Sequence, residues 1–336
     1  LHIPMPRPDV VRRPRLIEQL DVSLQHGHRL TLVSAPAGFG KTTLITSWVS
    51  DAGQPTAWLS LDEGDNDPIE FLHYLIASLQ QVDANIGETV LQVLQSPRAP
   101  PVQNLITSLI NDIAAVPTPL ALVLDDYHLV TSPAVHEMVQ FLIAYQPPTL
   151  HLVIGTREDP PLALPQLRAR GQITEIRERD LRFTPQETHA FFAHTMKLPL
   201  APDAVAALSS RTEGWIAGLQ LAALALQADQ SHADAFIAAF MGNDRFIMDY
   251  LVLEVLHRQT DSIRGFLRQT AILDRLSAPL CNAVTGRDDS QAVLEQLDAA
   301  NLFLIPLDLR REWYRYHRLF AEMLRAGLST EEQLPL

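Results

Sequence analysis

Residues 34–43 read Ser34-Ala35-Pro36-Ala37-Gly38-Phe39-Gly40-Lys41-Thr42-Thr43. They join an apolar run, Leu30–Ser34, to a helical pattern that starts at Lys41. Gly38 and Gly40 allow the backbone to curl so that successive N–H groups face one point, the geometry that surrounds a phosphate. The helix start adds a partial positive charge at the same place. In this arrangement Ala37, Gly38, Phe39 and Gly40 supply amides, and Lys41 reaches β- and γ-phosphate oxygens. Thr42 offers a hydroxyl to Mg²⁺, and Thr43 assists at the α-phosphate. The pattern is a Walker A loop with one departure, Ala35 in place of the first glycine. A glycine turn without a ligand is the competing reading, and it leaves the strand, Lys-Thr pair and helix in register by chance.

A second run, Leu122-Val123-Leu124-Asp125-Asp126, ends an apolar strand in two carboxylates. After a Walker A loop it reads as a Walker B strand. Asp125 is expected to hold the magnesium, and Asp126 to orient or deprotonate an attacking water. Arg157 follows a further strand, and strand C-terminal ends face the ligand crevice in such sheets. It is expected to register the γ-phosphate; its competing role is a surface pair with Glu158 or Asp159. Val11, Arg12, Arg13 and Arg15 lie either against adenine and ribose or in a plain N-terminal arm. His317, in Tyr316-His317-Arg318, either touches a β-phosphate in a closed state or is a structural histidine. Asp62, Asp65 and Asp67 lack the later glutamate of an EF-hand, so a solvated loop is favoured. Trp215, in Glu213-Gly214-Trp215, reads as core.

The elements that must carry these residues follow from periodicity. Strands are expected at 30–34, 56–60, 120–124, 150–155 and 173–177. Helices are expected from Pro14 to Gly27, at 41–51, from Pro68 with Ile69, Leu72, Leu75 and Leu79 on the apolar face, and at 102–115 and 133–145. Short apolar strands alternating with helices predict an α/β fold with a parallel, doubly wound sheet. Beyond residue 183 helical segments follow one another, near 185–195, 201–210, 214–227, 232–240, 244–258, 261–270 and 289–300. A strand pair at 302–307 and 312–314, with a helix after Tyr316, resembles a winged helix. The expected division is a P-loop nucleotide-binding domain at 1–182, a small helical domain at 183–240 and a winged-helix domain at 241–336.

The chain has 336 residues, 47% hydrophobic and 19% charged, with a formal net charge of −13. That is a globular composition with ample core material. Its acidity argues against direct grip on a nucleic-acid backbone, which needs clustered Lys and Arg. The single cysteine, Cys281, has no disulfide or metal-ligand companion and suggests a reducing compartment. No run approaches the roughly 20 apolar residues of a membrane span. A cytoplasmic protein without membrane contact is expected. Position 1 is Leu rather than Met, which fits a fragment.

Taken together, these segments resemble the ATPase portion of MalT-like regulators, LuxR-type transcription factors of the STAND class of signalling ATPases. The resemblance rests on Arg13-Pro14-Arg15-Leu16, on the loop Ser34–Thr43, and on Trp58-Leu59-Ser60-Leu61-Asp62 with Asp67-Pro68. Further support comes from Leu124-Asp125-Asp126-Tyr127-His128, Thr156-Arg157, Glu213-Gly214-Trp215 with Gly218-Leu219-Gln220, and Tyr316-His317-Arg318-Leu319-Phe320. Ala35 is common at that position in the family. The resemblance implies a monomer resting with ADP, opened by an inducer and ATP exchange, that then self-associates. In the family the inducer sensor and the helix-turn-helix DNA reader lie outside the part present here, so a truncated switch module is expected. ATP/ADP and Mg²⁺ are the expected cofactors, with slow hydrolysis as the reset. Two alternatives remain: a remodelling or kinase-type P-loop enzyme, and a scaffold that holds nucleotide without hydrolysis.

Overall fold

In a computed structural model, residues 3–4, 9–94, 101–228, 245–257, 259–308 and 310–331 are described. The chain divides into two compact units. The first contains residues 12–35 and 41–180; the second contains residues 9–11, 36–40 and everything from Leu181.

The first unit is built on five parallel strands, β1 (Leu30–Ser34), β2 (Thr56–Ser60), β3 (Leu120–Asp125), β4 (Leu150–Thr156) and β5 (Ile173–Arg177). Their order across the sheet is β2-β3-β4-β1-β5. Strands β1, β3 and β4 are buried at every residue, as continuous apolar strands covered on both faces must be. Because β4 lies between β1 and β3, the two motif-bearing strands are not neighbours. Helices Pro68–Leu79, Val102–Ala115 and Pro133–Tyr145 contribute to one core with Leu122, Leu152 and Ile154.

One expected apolar position is corrected. Ile69 is 53% exposed, and the buried face of its helix is Phe71, Leu72, Leu75, Ile76 and Leu79. Asp67 caps the helix by accepting from the Ile69 and Glu70 N–H groups. Ile69 shares its face with buried Ile76, seven residues on, so its exposure comes from its place in the first turn and not from the helix phase. The short helices Glu88–Leu94, Leu164–Ala169 and Ala278–Thr285 were not expected, since fewer than three turns carry little periodic signal.

The acidic loop is structural. Asp62 and Asp65 form a reciprocal capping box. Asn66 donates to the Leu129 carbonyl and accepts from the Thr131 and Ser132 N–H groups, tying this loop to the segment that follows Asp125. Among the described residues no group of three or more His, Cys, Asp or Glu side chains is arranged to hold a metal.

The second unit is helical, with helices including Pro202–Thr212, Ile216–Ala228, Arg245–Leu251, Asp261–Thr270, Ser290–Ala299 and Arg318–Glu331. The expected helix at 232–240 lies outside the described residues. Strands β6 (Leu304–Pro306) and β7 (Tyr314–Tyr316) form an antiparallel pair, shorter at the first strand and two residues later at the second than the periodicity predicts. No helix among the described residues is long and apolar enough to cross a membrane.

Glu213 is the polar hub of this unit. It takes a left-handed backbone (φ 50°) just after the helix Pro202–Thr212. Its carboxylate accepts from Arg315 at 2.7 and 2.6 Å, from Arg182 at 3.1 Å and from the Arg318 N–H at 3.0 Å. Burial pushes its pKa up, but the Arg315 hydrogen bonds and the neighbouring positive charges prevail and hold it near 2. His317 lies beside this hub, 1% exposed, with Nε2 donating to the Thr212 carbonyl at 3.0 Å. Burial lowers its pKa to about 4, against the pull of Glu213 in the other direction.

Two outcomes are expected. Glu213→Ala leaves two half-buried guanidinium groups without their shared carboxylate and costs about 2 kcal/mol in denaturant unfolding. His317 has a folded pKa below its usual 6.5, so its contribution is complete above pH 6.5 and is lost as pH falls through 4. Between these limits His317→Gln should remove up to about 3 kcal/mol of acid sensitivity, read from unfolding curves at pH 7 and pH 4.

Candidate phosphate and metal site

In the first unit β1 ends at Ser34, and the helix Lys41–Ala52 begins seven residues later. Lys41 is 7% exposed, and its Nζ donates to the Ala35 carbonyl at 2.8 Å. Burial lowers its pKa to about 8, helped by the charge of Arg157 and opposed by Asp126 and Asp125. These four expected residues therefore act on one another electrostatically. An anion placed here would raise that pKa and favour the charged lysine.

Thr42 donates from Oγ1 to Oδ2 of Asp125 at 2.8 Å. Asp125 is 2% exposed, and its Oδ1 has no hydrogen-bond partner. Burial raises its pKa to about 6; the Thr42 hydrogen bond pulls it down and the charge of Asp126 pushes it up. A buried carboxylate with one uncommitted oxygen, beside a hydroxyl, suits a hard divalent cation. Two protein oxygens, completed by phosphate and water, are the usual coordination of Mg²⁺.

Asp126 adopts a left-handed backbone (φ 56°) and starts the turn Tyr127–Leu129. Its side chain is 44% exposed, with Oδ1 3.9 Å from Nδ1 of His128. Sequence reading missed His128 as a neighbour of Asp126; the signal available was its place in Asp125-Asp126-Tyr127-His128. Arg157 is half-buried. Asp159, its suggested surface partner, pairs with Arg177 and Arg168. Thr43 is exposed, and its carbonyl accepts from Thr46 and Ser47.

The crest of the loop, residues 36–40, belongs to the second unit. There Trp215 Nε1 donates to the Ala37 carbonyl at 3.1 Å, and the Ala217 N–H donates to the Gly38 carbonyl at 3.1 Å. A trans peptide is planar, with its N–H opposite its C=O. Fixing these two carbonyls therefore turns the N–H groups of Gly38 and Phe39 the other way. Among the described residues the N–H groups of Ala37, Gly38, Phe39 and Gly40 donate no hydrogen bond. Gly38 and Gly40 have φ of 77° and 79°. At Gly38 a Cβ would also lie 2.5 Å from Ala217 Cβ and 2.9 Å from Trp215 Nε1. Backbone donors are rarely left unmatched, and a run of them facing one way is a nest for an anion.

Trp215, which the sequence favours as core over ligand contact, has a second role. It is fully buried beside Tyr250, Phe303 and His317, and it also holds the loop. The remaining expected contacts are less direct. Val11 is half-buried and lies in the second unit, while Arg12 is exposed. Arg15 donates to the Asp180 carbonyl at 2.6 Å, and Arg13 donates to the same oxygen at 3.4 Å. His317 uses Nε2 on Thr212, and its buried Nδ1 has no partner.

The Asp125 carboxyl has a folded pKa above its usual 3.8. Its neutral form favours the fold below pH 3.8, and that contribution disappears as pH rises through 6. Nucleotide-free Asp125→Asn should therefore be more stable than the parent by about 2 kcal/mol at pH 7.5. The gap should close below pH 4, as measured by chemical denaturation.

Comparison with known proteins agrees with this architecture. Residues 252–335 match the MalT winged helix domain. The chain is 38% identical over 326 residues to the HTH-type transcriptional regulator MalT of Cronobacter sakazakii, covering 96% of this chain and 36% of that protein. It is 37% identical over 322 residues to the MalT of Klebsiella pneumoniae, covering 96% and 35%. It thus spans about a third of the length of these relatives. Among solved structures, the Walker-type ATPase PABY2304 of Pyrococcus abyssi superposes with a TM-score of 0.63 at 17% identity, covering 95% of this chain and 97% of that one. The fold is that of a P-loop NTPase followed by a helical region and a winged helix, and over the third of their length that it spans the chain is similar to the MalT regulators.

Proposed function

We propose that this chain is the ATP/ADP-binding switch module of a signal-transducing transcriptional regulator. The observation that carries the reading is the row of uncommitted N–H groups from Ala37 to Gly40, ahead of buried Lys41 and the Thr42–Asp125 pair. The amides and Lys41 bind the polyphosphate, with Thr43 at the α-phosphate. Thr42 and Asp125 hold Mg²⁺, which when bound neutralises phosphate charge. Asp126 orients water for slow hydrolysis, and Arg157 distinguishes a γ-phosphate from its absence. Val11, Arg12 and Arg15 flank the nucleoside. His317 and Trp215 favour the ADP-bound conformation, Trp215 by holding Ala37 and His317 by packing against Trp215.

The switch is local electrostatics with a distant readout. Moving a population from 1:99 to 99:1 takes about 5.5 kcal/mol of differential binding. A few charge-assisted hydrogen bonds to the γ-phosphate, added to the binding of an inducer, reach that scale. In this reading the inducer and DNA are met through regions other than this chain, and the ATP state self-associates.

The test begins with the nucleotide released when the purified protein is denatured, identified by chromatography. Mass in solution is then measured with ADP and with ATP. ADP on a monomer and assembly with ATP are expected. Lys41→Ala should weaken ADP binding about 10- to 100-fold. Asp126→Asn should retain ATP and lose turnover. Fast inducer-independent turnover would favour an enzyme, and bound nucleotide without turnover under any condition would favour a scaffold. Assembly indifferent to nucleotide would refute the switch.

A further inference from the structure

In the sheet order β2-β3-β4-β1-β5, Asp125 ends β3 while Thr42 lies on the helix that follows β1. The strand between them is β4. For the Asp125 carboxylate to reach Thr42, it must pass over β4 on the face where a β4 side chain would stand. The register places Leu124 opposite Ile154 and Val33 opposite Gly155. The next step after the Leu124–Ile154 pair therefore sets Asp125 beside Gly155, and aligned residues on parallel strands share a face. A Cβ built on Gly155 would lie 2.4 Å from Asp125 Oδ1 and 3.2 Å from Ile45 Cδ1. The first distance is far inside van der Waals contact. The second requires the buried Ile45 side chain to give by only a few tenths of an ångström.

We infer that Gly155 is a positioning residue for the metal-binding carboxylate: its missing side chain is the space that Asp125 Oδ1 occupies. Gly155 has no positive φ, so its backbone does not require glycine. Within a strand the substitution of alanine would ordinarily help, because it reduces the freedom of the unfolded chain. What glycine provides here is room. A methyl group there displaces Oδ1, breaks the alignment of Oδ2 with Thr42, and turns the carboxylate away from the cation. The inference about Mg²⁺ rests on the nucleotide reading above; the steric relation between Gly155 and Asp125 does not.

Two experiments on the intact chain test these two parts separately. The first is a thermal-stability cycle without nucleotide or metal, using Gly155→Ala, Asp125→Ala and the double variant. Gly155→Ala should lower the melting temperature of the parent and leave that of Asp125→Ala unchanged or higher. Gly265→Ala, whose added Cβ meets nothing within 4 Å, is the control and should not destabilise. A Gly155→Ala loss that persists in the Asp125→Ala background, or no loss at all, overturns the inference. If Gly155→Ala alone does not fold, a folded double variant supports it and an unfolded one overturns it.

The second experiment measures binding of a fluorescent ADP analogue with Mg²⁺ and with EDTA. Gly155→Ala should match the parent in EDTA and lose about 10- to 100-fold of the affinity gained from Mg²⁺. Asp125→Asn should lose the same increment, and combining the two should add nothing further. An unchanged Mg²⁺ gain in Gly155→Ala overturns the positioning role. Failure of the parent to bind the analogue at all overturns the nucleotide reading instead, and the stability cycle still decides the steric relation.

Discussion

The arrangement depends on burying the Asp125 carboxylate with half of its hydrogen-bonding capacity unused. One oxygen is held by Thr42 and the other by nothing. Burying a charge without a full set of partners is expensive, and the raised pKa of Asp125 and the lowered pKa of Lys41 both record that cost. The two groups carry opposite charge, yet each is driven toward its neutral form, so burial outweighs their mutual attraction here. A polyphosphate with a divalent cation relieves both at once, since it gives Lys41 an anion and Asp125 a cation. The rest of the unit supports this strain with a continuous apolar core across β1, β3 and β4.

The loop at residues 36–40 is governed by a different constraint. Its ends are set by β1 and by the helix that starts at Lys41, but the conformation of its crest is set by donors to its carbonyls. Trp215 and Ala217 take those carbonyls, and planar peptides then orient the amides. Trp215 also packs against His317 and Phe303, and Glu213, two residues before it, gathers Arg182, Arg315 and the Arg318 backbone. The Glu213-Gly214-Trp215 segment therefore joins the geometry of the phosphate loop to the β6–β7 hairpin.

Much of this was legible in the residues. The loop, the helix start at Lys41 and the strand ending at Asp125 are local patterns, because a phosphate nest and a buried strand each need particular residue types at short spacing. Strands β1, β3 and β4 appear as apolar runs for the same reason, whereas β5, with Thr174, Glu175 and Arg177, does not. The sequence reading was weakest where the determinants are not local. Ile69 has the spacing of the buried face, yet its place in the first helical turn leaves it exposed. The acidic run 62–67 reads as a solvated loop, and the fold uses its carboxylates as caps, with Asp65 buried. Trp215 was legible as core, while its bond to Ala37 joins residues 178 positions apart.

By itself the sequence singled out the candidates for phosphate and metal, since Gly38, Gly40, Lys41, Thr42 and Asp125 declare their chemistry by type and neighbourhood. Tertiary structure alone decided how they are brought to bear. The insertion of β4 between β1 and β3 makes Gly155 the floor beneath Asp125, and the packing of Trp215 aims the loop's amides. Both follow from strand order and helix placement, which arise when distant segments share one core, and no short window of residues contains that information.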